Sequence, residues 1–271
     1  RGKTMASTVP NAQALEARYG STHRKDRWWV EPLVTGSGLL IFVIYSTISA
    51  MLLGGGSADD PMVAYYTEGH TYLSPFFEPL IHPDWLPVWI SPALFILWAP
   101  LGFRTTCYYY RKTYYRAYFL SPPGCAIREP AGSYSGESTF PLIIQNIHRW
   151  FMYVAIVFVP ILFVGAYKSF WHDGEFGMGI GSVILTLNAV FLTMYTIGCH
   201  SLRHWVAGGL NQFSRTPFRR LRYRLWEIFT VANEQHRRWA WTSLIWVGLS
   251  DLYVHLVAND VLTDFNTWGN F

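Results

Sequence analysis

"MGIGSVILTLNAVFLTMYTIGC", Met178 to Cys199, runs for twenty-two residues without a Lys, Arg, Asp or Glu. Wound as a helix it is roughly 33 Å long, enough to cross a bilayer core of about 30 Å. Four more apolar runs resemble it: Leu33–Gly55, Leu86–Phe103, Phe151–Tyr167 with a helix start near Phe140, and Trp239–Ala258. Pro92 and Pro100 predict a kink in the second of these. Tyr and Trp crowd the ends of the runs, as interfacial anchors do. Only 14% of the 271 residues are charged while 51% are hydrophobic and 18% aromatic, too little charge to cover a soluble protein of this size. The reading is an all-α integral membrane protein, a bundle of five transmembrane helices over about 33–55, 86–103, 141–167, 178–199 and 239–258. One domain, residues 5–271, holds them; "RGKT", residues 1–4, reads as sequence upstream of Met5, and no signal peptide follows.

Five crossings put the N-terminus and loops 104–140 and 200–238 on one side. With Arg149 at the start of the third span, that side carries 20 of the 21 Lys and Arg, leaving only Lys168 on the other. Asp59, Asp60, Glu68, Glu78 and Asp84 fall in the opposite loop 56–85. By the positive-inside rule the N-terminus is cytoplasmic, the C-terminus is outside, and the protein is multi-pass in the plasma membrane. Membrane sidedness accounts for the basic residues, so no nucleic-acid partner is expected. The three cysteines make no disulfide framework. No glycine-rich phosphate loop lies between a strand and a helix, so the chain is expected to hold no flavin or nucleotide and not to be catalytic alone.

"GCHSLRHW", Gly198–Trp205, brings Cys199, His200 and His204 to the cytoplasmic end of the fourth span. Cys107 in "FRTTCYYYRKTYYR", Cys125 in "SPPGCAIREP", His148 in "QNIHRWF" and His236 before the fifth span fall at or near the same level. Three readings stand open. The residues can be small core thiols and interfacial hydrogen-bonders. His148 with His200 or His204 can hold a haem. Or a Rieske-type [2Fe–2S] centre can take two thiolates and two imidazoles. His200 and His204 lie about 40° apart around a helix, whereas Cys199 points about 100° from His200, so one regular helix does not give all three to one metal.

A quinone slot needs an apolar cleft, hydrogen-bond donors and a proton source, and Tyr108, His148 and Arg149 are the candidates at this level. "RTPFRRLRYRLWEIF", Arg215–Phe229, reads as an amphipathic interfacial helix, drawn to anionic headgroups or to a partner protein. Asp251 and His255, one turn apart in the fifth span, are ionisable groups inside the membrane and invite a functional hypothesis.

"FRTTCYYYRKTYYRAYFLSPPGCA", "FPLIIQNIHRWF" and "CHSLRHWVAGGL" together resemble the membrane-anchor subunit of actinobacterial, mycobacterial-type succinate dehydrogenase (succinate:menaquinone oxidoreductase). The resemblance runs over nearly the whole chain. It implies a five-helix anchor that docks a flavoprotein subunit and an iron–sulfur subunit on its cytoplasmic face and passes their electrons to menaquinone. It also implies a membrane-edge Rieske-type centre, with Cys107, Cys125, Cys199, His200 and His204 as the ligand pool. The sequence lacks the paired mid-membrane histidines of haem-bearing anchors, which counts against the haem b alternative. A non-redox scaffold or a transporter is the alternative of another class; the first, third and fourth spans carry few polar groups, which argues against transport.

Overall fold

The computed structural model describes residues 20–53, 67, 71–81, 83, 85, 87, 90–129, 139–140 and 142–269. Residues 1–4 and the acidic side chains of Asp59, Asp60, Glu68 and Asp84 lie outside this set. The chain is mostly helical. Helix α1, Val30–Thr47, ends in a π-helical turn, Ile48–Leu53. Helices α2, Leu94–Thr105, and α3, Tyr108–Tyr114, follow, and a π turn Tyr115–Phe119 closes α3. A 3-10 stretch, Leu142–Ile147, leads into α4, His148–Lys168. A two-residue hairpin, β1 Trp171–His172 against β2 Glu175–Phe176, turns the chain into α5, Ile180–Ile197. Helix α6, His200–Arg203, runs on as a π turn, His204–Gly208; α7, Pro217–Glu234, and α8, His236–Ala258, complete the chain.

Four helical segments are long and apolar enough to cross a membrane: Val30–Met51, Ile143–Lys168, Ile180–Ile197 and His236–Ala258. The second expected span comes out differently. Helix α2 has only 12 residues, about 18 Å of rise, short of a bilayer core. Pro87 and Pro92 have no N–H to give to a helix, and α2 starts only after them. The long helices pack in series: α5 lies between α4 and α8, α2 lies against α4, and α1 lies against α8. On α5 the buried residues Gly181, Ser182, Leu185, Asn188, Ala189, Tyr195 and Thr196 recur every three or four positions. Small residues on such a stripe let neighbouring backbones approach, the main source of packing between helices in lipid. The Trp246 indole donates across the seam to the Ile184 carbonyl at 3.0 Å.

The segment 71–78, part of the loop 56–85 of the sequence reading, folds back into the bundle end. Tyr72, Phe76 and Phe77 are buried there. Ser74 caps the short 3-10 turn Pro75–Phe77 and donates its hydroxyl to Asp251. Tyr72 donates to Asp264 at 2.8 Å. Glu78 closes the segment against Gly165 of α4, where a Cβ would lie 1.7 Å from its Oε1, so only glycine leaves room for the carboxyl. Burial pushes the Glu78 carboxyl up to about 7, with the charge of Lys168 pulling the other way. A carboxyl whose folded value is raised stabilises the fold below its ordinary value of 4.5, and that contribution is lost as pH rises through about 7. The effect is worth about 3 kcal/mol at most. Thermal midpoints of the purified protein should therefore fall over this window, and Glu78→Gln should flatten the fall; an unchanged slope in the variant contradicts this.

Candidate functional site

At the Lys/Arg-rich end two helices break and restart at a cysteine. Helix α2 ends at Thr105, and Cys107 takes an extended conformation as the N-cap of α3. Helix α5 ends at Ile197, and Cys199 is likewise the extended N-cap of α6. The Asn233 amide holds the second break by donating to the Gly198 carbonyl at 2.6 Å. Both thiols are buried, and each faces one imidazole. Cys199 Sγ lies 3.3 Å from His148 Nε2, and Cys107 Sγ lies 3.8 Å from His236 Nε2. Burial pushes both thiols above their ordinary value, Cys199 to about 11, against the pull of the backbone N–H groups of Ser201 and Leu202.

Aromatic rings join the two pairs. The His148 ring stacks on Phe103 at 4.9 Å, and the His236 ring stacks on Tyr195 at 5.1 Å. Phe103 and Tyr195 touch at 5.1 Å. Arg104 lies over the Tyr195 ring, 5.0 Å from its centroid, and donates to the Tyr110 hydroxyl and, at 3.2 Å, to Ser243 Oγ. Two buried ring nitrogens here, His236 Nδ1 and Trp239 Nε1, have no hydrogen-bond partner among the described residues.

An apolar cavity of about 390 Å³ ends on this layer. Its walls come from α1 (Phe42, Ser46), α2 (Leu97, Trp98), α4 (Ala155, Phe158) and single residues of α5 and α8. Phe103 and Arg104 form one end, and Pro75 and Phe76 of the folded-back segment also line it. Arg104 is the one charged side chain among the lining residues. Val43, Trp98 and Leu101 line it as well and are exposed on the outside of the bundle, so one flank of the cavity faces the lipid.

Residues 30–260 match the family of the actinobacterial succinate dehydrogenase subunit SdhC. The chain belongs to that family. It is thus the SdhC membrane subunit of a succinate dehydrogenase complex, an oxidoreductase. A solved chain of the Mycobacterium smegmatis Sdh1 complex in the apo form is 40% identical, with a TM-score of 0.79, over 94% of this chain and 96% of that one. No curated protein matches the sequence.

The expected ligand pool of this SdhC chain does not converge. Cys125 is exposed in the loop after α3, its Sγ 3.9 Å from Arg116 and its carbonyl bonded to Arg24. His204 is exposed, with Nδ1 accepting from Arg149 at 2.9 Å. His200 is exposed too, and its ring meets His236 edge-on at 6.1 Å. Among the described residues no three His, Cys, Asp or Glu side chains are arranged to hold a metal ion. The Rieske-type [2Fe–2S] centre expected from the sequence is therefore corrected: its residues do not fit the group. The two helix breaks turn Cys107 and Cys199 toward separate imidazoles, and Cys125 lies apart in an exposed loop. Of the histidines weighed for haem, His148 lies between Cys199 and the Thr106 hydroxyl at 2.8 Å, His204 accepts from Arg149, and His200 is exposed.

Of the quinone candidates, Tyr108 is exposed beneath the Arg111 guanidinium and Arg149 is exposed beside His204; neither lines the cavity. His148 meets it through Phe103. Sequence reasoning placed His236 at this level but not in the candidate site, and it passed over Phe103, Arg104 and Tyr195. The available signal was Arg104 itself, the first basic residue after a stretch without Lys or Arg from Trp28 to Phe103.

Proposed function

We propose that this SdhC chain is the quinone-reducing membrane module of its complex. Oxidation of succinate to fumarate releases two electrons and two protons, and reduction of a quinone to the quinol consumes two of each. In this reading a flavoprotein subunit and an iron–sulfur subunit collect the electrons and dock on the basic face, and a menaquinone-type quinone receives them in the bilayer. The observation that carries the reading is the lipid-flanked apolar cavity ending on Arg104. Its walls suit a ring and an isoprenoid tail, and the guanidinium offers N–H donors and positive charge to a carbonyl oxygen that becomes anionic on reduction. His148, stacked on Phe103, is the imidazole assigned here to proton delivery, and Tyr108 and Arg149 are exposed outside the cavity.

Filling the cavity tests the reading. Ala155→Trp should lower the complex's succinate-driven quinone reduction about tenfold or more, the equivalent of about 1.4 kcal/mol, without loss of assembly. An unchanged rate at limiting quinone contradicts it and leaves a structural anchor.

The same proposal sets the chain in the plasma membrane with five membrane segments, α2 being the short one, the N-terminus cytoplasmic and the C-terminus outside. The skew of basic residues supports it. Helix α7 then lies along the cytoplasmic surface. Arg220, Leu221, Arg224 and Ile228 are on its exposed side, a mixed basic and apolar face suited to anionic headgroups and to the iron–sulfur partner. A reporter fused after Phe271 should work only if it functions outside the cytoplasm; cytoplasmic activity overturns this orientation.

A further inference from the structure

The outer half of the bundle holds an ionisable cluster that the quinone reading does not use. Asp251 of α8 is wholly buried. Its Oδ2 accepts from Tyr45 of α1 and from Ser49 of the following π turn, both at 2.6 Å, and its Oδ1 accepts from Ser74 of the folded-back segment. His255, one turn on, lies 3.5 Å from Oδ1 and 2.9 Å from Ser49 Oγ. A serine hydroxyl has one proton, and Ser49 gives it to Asp251, so Ser49 accepts from His255 Nε2–H. That fixes the tautomer and leaves Nδ1 as the basic nitrogen. A continuous chain, Tyr45–Asp251–Ser49–His255, results. His255 keeps 7% exposure while Asp251 has none, so the imidazole is the link between the carboxylate and the end of the bundle.

No Lys or Arg among the described residues forms an ion pair with Asp251; its partner is His255. An unpaired buried carboxylate costs several kcal/mol, and hydroxyl donors offset only part of this. The charge of the pair is thus set by one proton. The other titratable groups around it are Tyr45 on α1, Glu78 on the folded-back segment with Lys168 beyond it on α4, and, on the far side of α8, Tyr253 and Tyr72 bonded to Asp264. The facing helix α5 contributes no titratable residue except Tyr195 at its other end.

We propose that Asp251 and His255 form a proton-exchanging site that opens through His255 to the Lys-poor face of the bundle. Water at that face gives a proton to His255 Nδ1, turning the anionic pair into a neutral carboxylate–imidazolium pair. Release reverses this, and only bonds to that proton form or break. Ser74 and Ser49 are chain neighbours of Pro75 and Ala50, which line the apolar cavity, so the site stands behind the cavity wall.

The test is an acid-minus-alkaline infrared difference spectrum of the purified complex, taken without quinone, so that it stands or falls separately from the quinone reading. Wild type should show carboxylate and imidazole bands that vanish in His255→Gln and lose the carboxylate part in Asp251→Asn. Asparagine keeps an oxygen acceptor for Tyr45 and Ser49, which preserves the fold. Should Asp251→Asn fail to assemble, His255→Gln decides alone. Difference bands identical to wild type in the assembled variants overturn the proposal and make the cluster a fixed pin.

Discussion

Replacing Arg104 with leucine is expected to lower succinate-driven quinone reduction about 100-fold or more, the loss that follows removal of one preorganised donor from a water-excluded site. Dye reduction by the soluble subunits of the same complex should be unaffected. Arg104 lies at the cavity end, held over Tyr195 and bonded to Tyr110 and Ser243, so its guanidinium is fixed before any quinone arrives. Lysine keeps the charge but not the planar fork, so Arg104→Lys should retain an intermediate rate. The leucine variant also strips partners from Tyr110 and Ser243, and assembly must be measured beside activity. A wild-type quinone rate in an assembled Arg104→Leu complex excludes Arg104 from the reaction.

Asp251→Leu is expected to cost about 3–5 kcal/mol of stability, the range for breaking a buried ionic pair and leaving its partners orphaned. Three hydroxyl donors from α1, the π turn and the folded-back segment converge on this carboxylate. Leucine fills the volume and answers none of them. Asp251→Asn should cost much less, because an amide oxygen still accepts. Limited proteolysis should find segment 71–78 cut in the leucine variant well before the rest of the bundle. Equal resistance of the two variants would show that this carboxylate does not hold the segment down.

The long helices were legible because an uncharged run has few alternatives in lipid: α4, α5 and α8 lie within a few residues of the runs that announce them. The shortness of α2 was half-legible. Pro92 and Pro100 were read as kinks, but the helix starts only at Leu94, after Pro92, and Pro100 lies within it. The segment 71–78 was not legible at all. Its burial depends on Ser74 and Tyr72 finding Asp251 and Asp264, pairings 177 and 192 residues apart that no local pattern encodes.

At the candidate site the level was legible and the grouping was not. The sequence brings Cys107, Cys199, His148 and His236 to one end of the bundle because each follows or precedes an apolar run. Their grouping depends on where two helices break. Projection on a regular helix allowed His200 and His204 to meet one metal, but α5 stops at Ile197 and the chain turns at Gly198, so Cys199 faces inward while both histidines are exposed. Cys125 shared the level in sequence only; its loop lies against Arg24 and Arg116 at the surface.

In the proposed function the quinone binds in the cavity between α1, α2 and α4. A photoreactive quinone analogue, added to the purified complex, illuminated and mapped by mass spectrometry, tests it most directly. Adducts are expected on cavity residues such as Trp98, Phe158 and Phe42, suppressed by excess unlabelled quinone and by Ala155→Trp. Competable adducts confined to Tyr108, Arg149 and the exposed face of α7, with the cavity unlabelled, would contradict it.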